Sequence, residues 1–196
     1  ACDAEEFIET ADTVEFGYEF EQRIPDNEKR FHKLEGYLFP DTYEFYVGED
    51  PEMVIRRFLD NFESKITPEL EARMQEMNLT LDETITLASI IQKEASGEDN
   101  MYQVSSVFHN RLEPGSGFDY LQSDVTVFYV EDDIYQQLGI QDESYMEAYS
   151  TYDIAGLPVG PICNPGLAVI EAALYPADTN YYFFVTDSQG NYYYAT

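Results

Sequence analysis

Apolar and polar positions change their period several times along the chain, and each change marks an element. Val14, Phe16, Tyr18 and Phe20 alternate with polar or small residues, the period of a half-exposed strand. That stretch predicts a strand leading into the main body, or the tail of a preceding subdomain. From Asp50 the period lengthens to that of a helix. Asp50-Pro51 supplies an N-cap and an N1 proline, and Val54, Ile55, Phe58, Leu59 and Phe62 form the stripe that follows. Thr67-Pro68 opens a second helix by the same device, carrying Leu70, Met74 and Met77. Thr80-Leu-Asp-Glu83 has the form of a capping box and predicts a third helix over about 81–96.

A fourth helix is predicted over roughly 99–112, ending before Pro114-Gly-Ser-Gly117, a loop by composition. Asn164-Pro165 opens a last helix that ends near Tyr175-Pro176. Two aromatic-rich runs, Tyr181–Thr186 and Asn191–Thr196, flank Asp187-Ser-Gln-Gly190 and predict a β-hairpin. No internal repeat is present. The expected fold is α+β, helical through the middle with strands at both ends.

Composition narrows the function more than the fold. An apolar share of 44%, with 17 Tyr and 13 Phe among 196 residues, is enough to bury a core and unlike a disordered chain. The net charge is -29, from 39 acidic and 10 basic residues. Such a surface repels phosphate backbones and anionic headgroups, which argues against nucleic-acid partners. It suits a highly soluble protein in an extracellular setting. Cys2 and Cys163 lack metal or redox spacing, and with two His residues in all a zinc site is not expected. No calcium loop, nucleophile elbow, phosphate-binding loop or dinucleotide fingerprint occurs. No run of about 18 apolar residues is present to cross a membrane.

Candidate chemistry lies where polar residues continue apolar stripes. At 100° per residue, Leu87, Ile90 and Ile91 share one face of the third helix, and Glu94, seven residues after Leu87, falls within about 20° of it. Partial burial there raises a carboxyl pKa, as does the negative end of the helix dipole. A carboxylic acid held neutral is what general-acid catalysis needs. The same spacing also suits a glutamate at a fraying helix end that meets water or a lysine. Arg111 repeats the pattern seven residues after Val104 on the fourth helix. It reads as a brace of the site or as a structural ion pair. Leu121-Gln-Ser-Asp-Val-Thr126 is a dense polar run suited to sugar hydroxyls, or to a helix start capped by Ser123 or Asp124. Gly156 to Gly166 holds three Pro and three Gly and is a tightly specified backbone.

Several of these segments together resemble one family, the MltG/YceG-like murein transglycosylases. Glu35-Gly-Tyr-Leu-Phe-Pro-Asp-Thr-Tyr43 is similar to that family's E-G-aromatic-x-aromatic-P-D-T-aromatic motif, and Leu87-Ala-Ser-Ile-Ile-Gln-Lys-Glu94 to the helix that carries its catalytic glutamate. Val107-Phe-His-Asn-Arg-Leu112 resembles V-F-x-N-R-L, Leu121 to Thr126 resembles L-Q-S-D-P-T, and Gly156 to Gly166 resembles G-L-P-P-G-P-I-C-N-P-G. The segments follow the family's order across roughly residues 35 to 186.

The resemblance implies an endolytic lytic transglycosylase with a lysozyme-like active-site helix. It cleaves MurNAc-β-1,4-GlcNAc bonds of peptidoglycan strands and leaves 1,6-anhydroMurNAc ends, with Glu94 as acid and then base. It implies Asn110, Arg111, Gln122, Ser123, Asp124, Thr126, Tyr152 and Asn164 as substrate-binding residues, and no cofactor or metal. Residues 1–32 would end a LysM-like subdomain and residues 33–196 would form the catalytic domain. Such proteins are extracytoplasmic, anchored in the cell membrane through an N-terminal segment, and act beside cell-wall synthesis proteins. A non-catalytic glycan-binding module is the alternative. Family members often carry Glu where Gln92 stands; the acid is assigned to Glu94, since an amide cannot transfer the proton. Val125 replaces a usual Pro, Ser150 a usual Asn, and Tyr192 a common His.

Overall fold

A computed structural model describes residues 2–196, and its frame is helical. Helix α1 runs over Ala4–Thr13, followed by a 3-10 turn at Glu19–Arg23. Helices α2, Pro51–Lys65, and α3, Pro68–Glu76, lead to α4, Leu81–Glu94, and α5, Glu98–Leu112. Helix α6, Asp124–Phe128, passes through a π-helical segment at Tyr129–Ile134 into α7, Tyr135–Leu138. Then come α8, Glu143–Tyr149, and α9, Leu167–Leu174. Strands β1, Phe183–Thr186, and β2, Tyr192–Ala195, close the chain as an antiparallel hairpin that pairs Phe184 with Tyr194 and Thr186 with Tyr192.

The capping signals set the helix starts as expected. Asp50 accepts from the Glu52 N–H at 2.9 Å. Thr80 and Glu83 form the reciprocal box, Thr80 Oγ1 taking the Glu83 N–H at 3.1 Å and Glu83 Oε2 the Thr80 N–H at 2.8 Å. Helix α4 stops at Glu94 because Ala95 is extended, two residues short of the predicted end. Helix α9 starts at Leu167 with Gly166 as its N-cap, so Asn164 does not begin it.

Every residue from Leu81 to Ile91 except Glu83 is buried, so α4 is the axis of the molecule. Helices α9 and α5 pack against it. The Gly/Pro-rich segment runs along it: Ser89 Oγ accepts from the Ile162 N–H at 3.0 Å and Gln92 Oε1 from the Gly166 N–H at 3.2 Å. Gly36 abuts this segment. A Cβ there would lie 2.5 Å from Pro161 Cγ and 2.8 Å from Ile85 Cγ2, and its φ is +95°, so only glycine fits.

The N-terminal strand is the expectation that fails. Residues 14–18 are extended and alternate in burial, with Phe16 and Phe20 in the core, but no strand pairs with them among the described residues. Side chains take the place of a partner. Arg56 donates to the Phe16 carbonyl at 2.9 Å and Lys33 to the Val14 carbonyl at 3.1 Å. The Glu21 carboxylate accepts from the Phe16 and Tyr18 N–H groups at 3.2 and 2.9 Å. Since such bonds satisfy the backbone, the period-2 pattern persists without a sheet. Strands therefore occur only at the C-terminal end of the described residues.

Ala11, Phe16 and Phe20 belong to the same apolar cluster as Leu59, Ile90 and Leu174. A buried ion pair joins the leading segment to α4: Arg30 and Asp82 are 4% and 8% exposed and 2.9 Å apart, and Tyr37 donates to Asp82 at 2.6 Å.

Candidate active site

Glu94 is the last residue of α4, half-buried where the apolar stripe meets the surface. Ser123 Oγ donates to its Oε1 at 2.5 Å, while Oε2 has no hydrogen-bond partner among the described residues. Burial of the carboxyl raises its pKa above the ordinary value; the Ser123 bond opposes this, the Asp124 charge adds to it, and Arg111 opposes it. Burial prevails because an anion loses hydration that a single hydroxyl does not replace. The helix end therefore holds a carboxyl biased toward its neutral form.

Ser123 is 2% exposed and cannot swing away. Its N–H donates to Thr151 Oγ1 at 2.9 Å, and the Gln122 N–H donates to the Thr151 carbonyl at 2.9 Å. Gln122 takes φ +57°, a backbone state that is costly for a residue with a side chain. This left-handed turn sets the Gln122 side chain in solvent while Ser123 faces inward. Asp124 opens α6 and accepts from Tyr152 Oη at 2.5 Å. That bond, burial and the Asp124 charge push the Tyr152 phenol up to about 12. Tyr152 is 44% exposed, so its ring faces solvent beside the carboxyl.

Arg111 forms no ion pair among the described residues. Its Nε donates to the Tyr182 carbonyl at 2.7 Å, and its Nη1 to the Leu121 carbonyl at 2.7 Å and the Gln122 carbonyl at 3.5 Å. Its guanidinium lies 5.3 Å from the Phe118 ring centre and 5.6 Å from that of Phe183. The charge is thus fixed by backbone and aromatic faces, which leave it unneutralised near Glu94.

The structure gathers Glu94, Arg111, Gln122, Ser123, Asp124 and Tyr152 into one region. It places the other sequence candidates in the frame. Thr126 is fully buried, its hydroxyl donating to the Ser123 carbonyl at 2.8 Å. Asn110 donates to the Thr179 and Tyr181 carbonyls at 3.0 and 2.9 Å and ties α5 to the approach to the hairpin. Asn164 Oδ1 accepts from the Gly36 and Leu38 N–H groups at 2.8 and 3.0 Å, so it pins the Glu35–Tyr43 motif. These three residues are bound to backbone rather than aimed at solvent beside Glu94. Thr151, which orients Ser123, was not singled out in the sequence. Its only signal is its place between Ser150 and Tyr152.

A cavity of about 630 Å³ lies along the N-terminal segment between Asp12 and Lys33 and does not include Glu94. Beside Glu94, the side chains of Gln122, Asp124 and Tyr152 are exposed. Among the described residues no cluster of His, Cys, Asp or Glu is placed to hold a metal ion, and no helix is long and apolar enough to cross a membrane.

The chain resembles known proteins over almost its whole length. The endolytic murein transglycosylase of Bacillus subtilis strain 168 is 34% identical over 163 residues, which cover 81% of this chain and 43% of that protein. The endolytic murein transglycosylase of Streptococcus pneumoniae serotype 2 strain D39 is 29% identical over 178 residues, 88% of this chain and 31% of that protein. The chain thus spans less than half the length of these curated relatives. The crystal structure of a yceG-like protein from Listeria monocytogenes matches with a TM-score of 0.78 at 30% identity, covering 98% of this chain and 64% of that one. The family model of the YceG-like family matches residues 4–196, and the chain belongs to that family.

Proposed function

We propose that this chain is the catalytic part of an endolytic murein transglycosylase, which cuts MurNAc-β-1,4-GlcNAc bonds within peptidoglycan strands and leaves 1,6-anhydroMurNAc ends. The observation that carries the reading is the half-buried carboxyl of Glu94, its pKa raised by burial and its Oε1 held by Ser123. The exposed side chains of Gln122, Asp124 and Tyr152 beside it suit a polymer that binds along its length.

In this mechanism Glu94 gives its proton to the glycosidic oxygen as the bond from MurNAc C1 breaks, and the GlcNAc leaves with a free 4-hydroxyl. The C6 hydroxyl of the same MurNAc then bonds to C1, and the Glu94 carboxylate takes its proton. One group serves as acid and then base, so no water is consumed and no second carboxylate attacks. Arg111, fixed nearby, offsets the charge that Glu94 carries between the two transfers. Tyr152, Asp124 and Gln122 offer a ring face and polar atoms to the sugars.

Digestion of purified peptidoglycan with the parent chain and with Glu94→Gln tests the reading, with products identified by mass spectrometry. Anhydro-ended fragments from the parent, and a rate lower by about 10²–10⁴-fold in the variant, are expected for loss of an acid/base. Reducing-end products would make the protein a hydrolase. Binding to strands without cleavage by either protein would make it a glycan-binding module. Extracytoplasmic placement through a membrane anchor, a LysM-like subdomain ending at residue 32, and contact with cell-wall synthesis proteins belong to the same proposal.

A further inference from the structure

Helix α4 ends in the open. A helix leaves its last carbonyls without intrahelical donors, and the Glu94 carbonyl is among them. The hydroxyl of Tyr192, from β2, donates to that carbonyl at 2.8 Å and accepts from the Ser96 N–H at 2.9 Å. One phenol oxygen thus bridges both sides of the point where the chain leaves the helix. Glu94 sits on that point.

The ring of Tyr192 is itself held on the inner face of the hairpin. It stacks with Tyr194 at 6.3 Å and with Phe184 at 6.5 Å, and Phe184 meets Phe108 of α5 edge-on at 6.0 Å. Tyr194 makes a parallel tie from the same face, its hydroxyl donating to Asn100 Oδ1 at 3.1 Å. The Tyr194 tie reaches the start of α5. The Tyr192 tie reaches the backbone on both sides of the α4 exit, at Glu94 and Ser96.

We infer that Tyr192 is a positioning residue for Glu94. Its hydroxyl fixes the last turn of α4 so that the carboxyl stays against Ser123 and out of water. The inference rests on the assignment of Glu94 as the acid/base. Helix ends fray readily when their terminal groups lack partners. Loss of the Tyr192 hydroxyl would let Glu94 leave its half-buried position while the hairpin stays docked through its rings.

The test compares Tyr192→Phe with Tyr194→Phe, each losing one hydroxyl, beside the parent and Glu94→Gln. On peptidoglycan strands Tyr192→Phe is expected to lower kcat about 10-fold with KM within twofold, since positioning acts on the transition state. Tyr194→Phe is expected to leave both unchanged. A second readout needs no turnover. In a carbon-13 NMR titration of the Glu94 carboxyl, Tyr192→Phe is expected to bring its pKa down toward the ordinary value as water reaches it. The groups facing Glu94, Ser123 and Asp124 from α6, Arg111 from α5 and Tyr152 from the 150–152 turn, are unchanged in both tyrosine variants. A Tyr192→Phe protein that matches Tyr194→Phe in kcat and in the Glu94 titration overturns the positioning role even if Glu94→Gln is inactive. Full activity in Glu94→Gln would instead overturn the acid assignment, and the inference with it.

Discussion

Glu94 is one of 39 acidic residues, and what separates it from most of them is desolvation at a helix end. Its raised pKa sets the direction of a pH profile. In the proposed mechanism the first transfer needs the protonated form, so kcat/KM is expected to be flat at low pH and to fall tenfold per unit above the raised pKa. The bend is expected above the ordinary glutamate value of about 4.3. Asp124 raises that pKa, so Asp124→Asn is expected to move the bend to lower pH. Burial is the larger of the two causes that raise it. Rates measured across pH on glycan strands check both points; a bend unmoved or moved upward by Asp124→Asn would contradict them. The half-buried placement of Glu94 and Arg111 was legible in the sequence because a seven-residue spacing keeps a polar side chain on an apolar stripe. The parts played by Thr126, Asn110 and Asn164 were not, because the direction of a short polar side chain is settled by whichever carbonyl or N–H tertiary packing brings near.

At the scale of elements, the helix starts were readable because their caps are local. Asp50, Thr67 and Thr80 each accept from an N–H within three residues. Helix α4 starts on such a box, formed by the exposed side chains of Thr80 and Glu83. Thr80→Ala removes one half of the box and is expected to cost about 1 kcal/mol of stability, as cap substitutions do. A lower urea midpoint with an unchanged slope is the expected result. Glu94 lies at the opposite end of the helix, about 20 Å away at 1.5 Å per residue, so activity per folded molecule is expected to hold. A loss of activity at full stability would mean that the start of α4 reaches the site. Residues 14–18 show where local reading stops. Alternation reported their extended backbone and inward face correctly, but whether a strand or a set of side chains satisfies that backbone is decided by residues such as Arg56, some 40 positions away. Helix α1 carried local signals, an Asp3 cap with Glu5 and Glu6 in the first turn, that the alternation after it obscured.

Over the whole molecule the dominant quantity is charge. A folded chain at -29 repels itself, and compaction brings the charges closer than they lie in the unfolded chain. Added salt screens exposed charges over about 10 Å at 0.1 M. Stability is therefore expected to rise between about 0.01 and 0.3 M sodium chloride, visible as a melting temperature higher by several degrees. A melting temperature that falls would show that ion pairs such as Arg30 with Asp82 outweigh the repulsion. The α+β class and the closing hairpin were legible because the Asp187–Gly190 turn lies between two aromatic runs, whereas the central place of α4 emerges only from what surrounds it. That closing hairpin also imposes an order on assembly. Arg111 takes its orientation from the Tyr182 carbonyl, and the exit of α4 takes its bridge from Tyr192, so both fittings come from a segment that lies well after α4 in the chain. A growing chain can complete α4 and display Glu94 well before either exists. On the proposed function, the cutting edge would in this way stay blunt until the hairpin docks.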